Sequence, residues 1–312
     1  MKPRPHALVV LNPAAHGGTG ARRFAAVREY VEVLFDAAVV VGRADAAWID
    51  DVRAALDQGT RVFIAAGGDG TAHALLNALV DAPRRPPLDE IVLGAVGLGS
   101  SNDLHKPAWT RIEGLPVRLD CARAAPRDLV RCRYASDAPA RQACVLVSAS
   151  LGVTACANAR FSDATPVAAW LRKASTPLAI AWAAARTVLP WRNLPAEMRI
   201  DDGASERIAL ASLSVLKTEW LSGHLHFGHP VAGDSGDFDV ALAVGLGRVR
   251  LVADILALLC GRFDDRPDHR RLHARALDVR LEHATPLELD GEIVMASAVR
   301  FDMHPERIRL CA

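Results

Sequence analysis

The 312-residue chain has six cysteines (Cys121, Cys132, Cys144, Cys156, Cys260 and Cys311), but no two are spaced C-x-x-C. The even number would suit disulfides, but nothing else reads as secreted, so reduced, buried thiols in a cytoplasmic protein are expected. No apolar run reaches membrane-spanning length, so no transmembrane helix is expected. The start, Met1-Lys2-Pro3-Arg4-Pro5, is basic, but the short run from Ala7 to Leu11 that follows is too brief for a signal-peptide core. A net charge of +1 supplies no overall field for nucleic acid. Solenoid repeats and low-complexity segments are missing. So are GxxxxGK[ST] and GxGxxG, the two best-known phosphate signatures. What is present is 51% hydrophobic and 23% charged residues, enough for two globular domains with real cores.

The stretch around which the rest is organised is RVFIAAGGDGTAHALLNAL, residues 61–79. A short apolar run ends in Gly67-Gly68-Asp69-Gly70-Thr71, and a segment with helical spacing follows. Glycines let a ligand approach the backbone, and the helix start offers free N–H groups and the positive end of its dipole. Asp69 sets a carboxylate in that turn. Beside a phosphate it makes sense if it holds Mg²⁺ or takes a proton from an attacking hydroxyl. The stretch reads as a phosphoryl-transfer site; a glycine turn that binds nothing is the alternative.

Two more loops have the same character. Residues 6–11 run as a strand into Asn12-Pro13-Ala14-Ala15-His16-Gly17-Gly18-Thr19-Gly20, before helical spacing over residues 21–34. Residues 36–41 read as a strand and 45–56 as a helix. Residues 90–96 read as a strand ending in Gly97-Leu98-Gly99-Ser100-Ser101-Asn102-Asp103. Alternating strands and helices predict a parallel sheet, with ligands at the strands' carboxyl ends.

From about Val130 the pattern changes. Residues 141–150, 197–200, 207–216, 238–244, 277–281 and 287–289 read as strands, predicting a mainly antiparallel sandwich or partial barrel. Two helical segments interrupt it, 167–189 and 249–259. The first carries Trp170, Trp182 and, just beyond it, Trp191, with Arg172, Lys173, Arg186 and Arg192 as its only charges. That suits either a membrane interface or a core. Pro177 is a candidate break in it. His224, His226 and His229 cluster without a completing ligand, so a metal site there is a minor alternative. The basic run 269–275 reads as a solvated face, with contact to anionic head groups the alternative.

These motifs resemble the diacylglycerol kinase catalytic-domain family, whose relatives include sphingosine and ceramide kinases. The likeness runs nearly end to end: Asn12-Pro13, the Gly67-to-Thr71 loop, Gly99-Ser100-Ser101-Asn102-Asp103-Leu104, and Leu289-Asp290-Gly291-Glu292. It implies a three-layer, NAD-kinase-like α/β domain with a parallel sheet over residues 1–129, to which 294–312 return. A mainly antiparallel β-sandwich over 130–293 would meet the lipid. ATP would lie in the cleft between them. The implied nucleotide-binding residues are Asn12, Gly67, Gly68, Asp69, Gly70, Thr71, Ser100, Asn102 and Asp103. Asp69, Asp290 and Glu292 are the implied catalytic carboxylates, with Mg²⁺ as the accompanying ion. The family's metal-side aspartate falls on Ser235, so an ion there would need Asp237, Asp234 or carbonyl oxygens instead, with Asp237 taken as the candidate ligand. Further departures are His73-Ala74 where Asn-Glu is usual, Ser100 where Thr is usual, and the segment Gly42-Arg43-Ala44-Asp45, which lacks the usual threonine.

The resemblance implies an ATP-dependent lipid kinase acting on a hydroxyl of a diacylglycerol-like or sphingoid-like lipid. It would be cytoplasmic, peripheral at the inner membrane surface, and free of nucleic acid, with a homodimer left open. A NAD-kinase-like or other small-alcohol kinase, and a silent lipid- or nucleotide-binding homologue, are the alternatives.

Overall fold

The structure is a computed structural model that describes residues 4–42, 46–107, 110–136, 139–162, 165, 167, 170, 176–263 and 268–312. The departure noted at residues 43–45 and the cations Arg172 and Lys173 lie outside the described residues. The chain divides into two compact units, Met1–Leu129 with His304–Ala312, and Val130–Met303.

The first unit is α/β. Strands β1 (His6–Leu11), β2 (Asp36–Val41), β3 (Val62–Gly67) and β4 (Val92–Gly97) lie parallel in the order β2-β1-β3-β4. All six residues of β3 and of β4 are buried, as expected of central parallel strands covered on both faces. β2 is half exposed because it is the edge. Helices α1 (Gly20–Ala25), α2 (Arg28–Leu34), α3 (Trp48–Asp57) and α4 (Asp69–Val80) follow their strands. The helical spacing over residues 21–34 is realised as two helices, broken where Val27 turns fully into the core. Short antiparallel strands complete the sheet: β5 (Thr110–Ile112), β6 (Leu115–Arg118) and β7 (Ala125–Arg127).

The second unit is antiparallel: one sheet of β8 (Val130–Ala135), β9 (Arg141–Val145), β10 (Ser148–Gly152), β11 (Leu194–Ile200), β12 (Glu206–Leu216), β15 (Phe238–Val244), β16 (His269–Ala274), β17 (Ala276–Leu289) and β18 (Glu292–Met303), and a separate two-stranded ribbon of β13 (Trp220–Leu221) and β14 (Leu225–His226). β12 and β17 are long enough to pair with β10 over one half and with β11 over the other. Each shows a register irregularity, between Leu210 and Ser212 and between Arg280 and Thr285, where the partner changes. Their inward side chains, among them Leu213, Val215, Leu277 and Leu287, join Phe238 and Phe301 in one core. Helices α5 (Val153–Ser162), α6 (Thr176–Val188) and α7 (Arg248–Leu259) belong to this unit.

Three boundaries differ from the sequence reading. Residues 141–150 form two strands, because Leu146 and Val147 turn their N–H groups onto Asp290. The segments 277–281 and 287–289 are one strand, β17. The return to the first unit begins at His304 rather than at residue 294, because Asp290 and Gly291 make a tight turn and β18 pairs along β17. The last strand, β19 (Ile308–Leu310), then runs parallel to β4 and antiparallel to β7. Glu306 fastens this tail with the Arg85 guanidinium and the Leu88 N–H. Arg307 adds an ion pair at 2.6 Å with the buried Asp128.

Candidate active site

Because β1, β3 and β4 are parallel and in register, their following loops meet at one edge of the first unit's sheet. The contacts among those loops are backbone-close. The carbonyl of Gly67 accepts the N–H groups of Leu98 (2.7 Å) and Gly99 (3.2 Å). A Cβ on Gly99 would lie 2.6 Å from the Gly68 Cα, so only glycine lets the two loops touch.

Of the predicted polar residues here, Asn12 and Asp69 each join two loops, while Asn102 and Asp103 brace their own. Asn12 accepts the Ala14 N–H at 3.0 Å and donates to the Thr71 hydroxyl at 3.2 Å, joining the first loop to α4. Asp69 accepts the Asp103 and Leu104 N–H groups, one on each oxygen, both at 3.0 Å. Asn102 is left-handed at φ 51°, a conformation asparagine tolerates. Its side chain closes the loop on the N–H and carbonyl of Gly99, both at 3.1 Å. Asp103 is buried and paired with Lys106 at 2.7 Å, so its charge is compensated within the loop. Ser100 is exposed, its hydroxyl 3.4 Å from His16 Nδ1.

The 12-residue α4 starts at this convergence with Gly68 as its N-cap and no side-chain cap. Among the described residues the N–H groups of Gly68 and Gly70 meet no protein acceptor. Arg23 reaches over from α1 to the Leu98 carbonyl at 2.7 Å. His16 is held below the usual imidazole range by burial and by the charge of Arg23. Free helix-start amides with a guanidinium nearby suit the phosphates of a nucleotide.

Arg23, Lys106, His105 and Arg118 also line this region, although no sequence motif marks them as site residues. Arg118 donates to the Leu104 carbonyl at 2.9 Å and to that of Cys311 at 3.2 Å. Burial and the charge of Arg118 push His105 down to about 3, and its Nδ1 is buried without a partner among the described residues. The one sequence signal for this group is Lys106 so close behind Asp103.

In the second unit, Asp290 is buried at a left-handed turn, φ 49°. Its carboxylate accepts three backbone N–H groups, from Leu146 (2.9 Å), Val147 (2.8 Å) and Ser148 (2.9 Å). Glu288, two residues before, is equally buried and accepts the Ser150 hydroxyl at 2.5 Å and the Asn158 amide at 2.9 Å. Glu292 is exposed.

The Asp237 carboxylate receives the Ser235 hydroxyl, and its backbone carbonyl receives Lys217 at 2.7 Å. Among the described residues no three His, Cys, Asp or Glu side chains converge as a metal cage. Two of the three clustered histidines are used separately. His226 packs 4.4 Å from the Trp220 ring, and His229 lies 3.2 Å from Asp239. The basic run is β16, where Arg270 pairs with Glu206 and Arg271 with Asp239, so those charges are compensated.

Comparison with known proteins agrees with both halves of this picture. Residues 6–124 match the diacylglycerol kinase catalytic domain, and residues 148–312 match the YegS C-terminal NAD kinase beta sandwich-like domain. A protein of Staphylococcus saprophyticus named diacylglycerol kinase is 35% identical over 77 residues, which are 23% of this chain and 25% of that protein. The match thus spans about a quarter of the relative's length. The crystal structure of a candidate diacylglycerol kinase from Bacillus anthracis str. Sterne superposes with a TM-score of 0.73 at 16% identity, covering 100% of this chain and 98% of that one. Another, described as a diacylglycerol kinase of the same organism, gives 0.64 at 14% identity, covering 98% and 96%. At such identities the likeness is one of fold. With its α/β unit matching the catalytic domain and its antiparallel unit the companion β-sandwich domain, the chain belongs to the diacylglycerol kinase catalytic-domain family.

Proposed function

We propose that this protein is an ATP-dependent lipid kinase, transferring the γ-phosphate to a hydroxyl of a diacylglycerol-like or sphingoid-like lipid at the inner membrane surface. The observation that carries the reading is the meeting of three loops at one sheet edge, beside the uncapped start of α4, in a chain of this family. The amides of Gly68 and Gly70 and the Arg23 guanidinium receive the nucleotide's phosphates. Asn12, Asp69, Asn102 and Asp103 keep the loops in the shape that presents them. Asp69 therefore acts by positioning, since both its oxygens are committed to the Asp103 and Leu104 amides.

The attacking hydroxyl must give up its proton to a base. Asp290 spends its carboxylate on three amides, whereas Glu292 is exposed. We assign Glu292 as the base and Asp290 as the anchor that shapes its turn. Mg²⁺ binds characteristically through phosphate oxygens and one or two carboxylates. The nucleotide's own phosphate oxygens would supply most of its ligands. No described helix is long and apolar enough to cross a membrane.

The test is transfer of labelled phosphate from ATP to lipid in mixed micelles. Asp69→Ala and Glu292→Gln should each lose most of the turnover; unchanged turnover in both removes these assignments. The β-sandwich's likeness to NAD kinase favours a second reading, a small-alcohol acceptor. It would put labelled product in water with no lipid added.

A further inference from the structure

Helix α7 presents apolar residues on two sides. Leu251 and Ile255 pack inward with Val188 and Trp191 from the end of α6 and just beyond it. Val249, Val252, Leu256 and Leu259 recur at i, i+3, i+7 and i+10 and form a second stripe, exposed to solvent, with Val249 at 85%. Through the shared core, α6 is the neighbour of α7. On α6 and just past its end, Leu178, Ala181, Ala185 and Leu189 are likewise exposed, with Trp182 half-buried beneath the Arg186 guanidinium.

The exposed charges on α6, on α7 and just past their ends are mainly arginines. Arg186, Arg192, Arg248 and Arg262 are exposed and have no carboxylate partner among the described residues. Arg250 is exposed and pairs with Asp268. Residues 176–192 contain no acid at all. The single acid of α7, Asp254, is drawn to His269 at 2.9 Å, and that imidazole is buried on β16. A patch of Val, Leu and Trp flanked by four arginines that meet no carboxylate among the described residues has one well-matched occupant, the headgroup and upper acyl region of an anionic bilayer. A second copy of the chain fits poorly, because two such faces would bring their arginines together.

We propose that α6 and α7 together form a docking face for anionic phospholipid membranes, with the α7 stripe inserting below the headgroups. The inference rests on the lipid-kinase reading only in supplying a reason for membrane contact; its test needs no turnover. Full-length protein is sedimented with vesicles of phosphatidylcholine alone and of phosphatidylcholine with phosphatidylglycerol, without nucleotide. Binding is expected to the anionic vesicles and to weaken with salt. Val249→Asp with Leu256→Asp should lower it by at least about tenfold, as expected from removing two buried aliphatic side chains. Arg248→Gln with Arg262→Gln should weaken it on anionic vesicles only. Circular dichroism and the unfolding midpoint should match the parent in all variants, since these side chains touch solvent.

A parent protein that stays in the supernatant, or an aspartate variant that sediments like the parent, overturns the proposal. So does a parent that is dimeric by analytical ultracentrifugation and becomes monomeric on Val249→Asp. Phosphorylation of a short-chain, water-soluble diacylglycerol by the parent, followed separately, reports on the kinase reading. Its failure leaves the vesicle result interpretable.

Discussion

Asp290 offers the sharpest test of how the acidic turn is built. It is 2% exposed, and its Oδ1 accepts the Val147 and Ser148 amides while Oδ2 accepts that of Leu146. Asp290→Asn keeps a carbonyl oxygen for the two amides on Oδ1 and keeps a residue type that tolerates φ 49°. It turns an NH₂ group toward the Leu146 N–H, so one buried amide loses its acceptor. That costs about 2 kcal/mol. Asp290→Ala strips all three amides and adds left-handed strain, for a total of roughly 7 to 8 kcal/mol on the same scale. The assay is native-state hydrogen exchange at residues 146–148, read beside urea unfolding. In the asparagine variant the Leu146 amide should exchange about 30-fold faster, and the alanine variant should be worse at all three positions. Glu292→Gln should leave exchange there unchanged while lowering turnover. Unaltered protection in Asp290→Asn, or equal effects of Asn and Ala, would refute the reasoning.

Three further outcomes follow from the first unit. Gly99→Ala places a methyl 2.6 Å from the Gly68 Cα; it should destabilise the unit by about 2 kcal/mol and weaken ATP binding in calorimetry, and unchanged affinity would remove the loop contact from the site. His105, held down at about 3 by burial and Arg118, stays neutral in the fold while the unfolded chain takes up a proton near 6.5. Stability should therefore fall as pH drops from about 6.5 towards 3, by at most about 1.4 kcal/mol per pH unit. His105→Gln should flatten that slope in pH-dependent unfolding. Glu306 is lowered to about 2 by Arg85 and the Leu88 amide; its contribution is present above 4.5 and lost as pH falls through about 2. Because the pair is partly exposed, Glu306→Gln should cost about 1 kcal/mol or less at neutral pH, measured as a small drop in the unfolding midpoint.

How much was legible depended on how local the cause was. β3 and β4 announced themselves because each is a short, continuous apolar run ending in glycine, and their loops were found with them. The partners of Asp69 lie 34 and 35 residues away, and those of Asp290 more than 140. A carboxylate's task of holding distant amides leaves no local pattern, so both read as chemistry alone. β17 was split in two because the stretch between Arg280 and Thr285 departs from regular pairing. For α7, apolar residues occur nearly all round, so periodicity could not tell the buried face of Leu251 and Ile255 from the bare stripe of Val249 and Leu256.

The central claim is that the strand-end loops of the first unit hold a nucleotide whose terminal phosphate goes to a lipid. The most direct measurement incubates the protein with γ-labelled ATP, Mg²⁺ and extracted lipids, then separates organic from aqueous products. The account predicts label in an organic-phase phospholipid, abolished by Gly99→Ala. Label confined to the aqueous phase, or no transfer to any lipid from a protein that binds ATP, would contradict it.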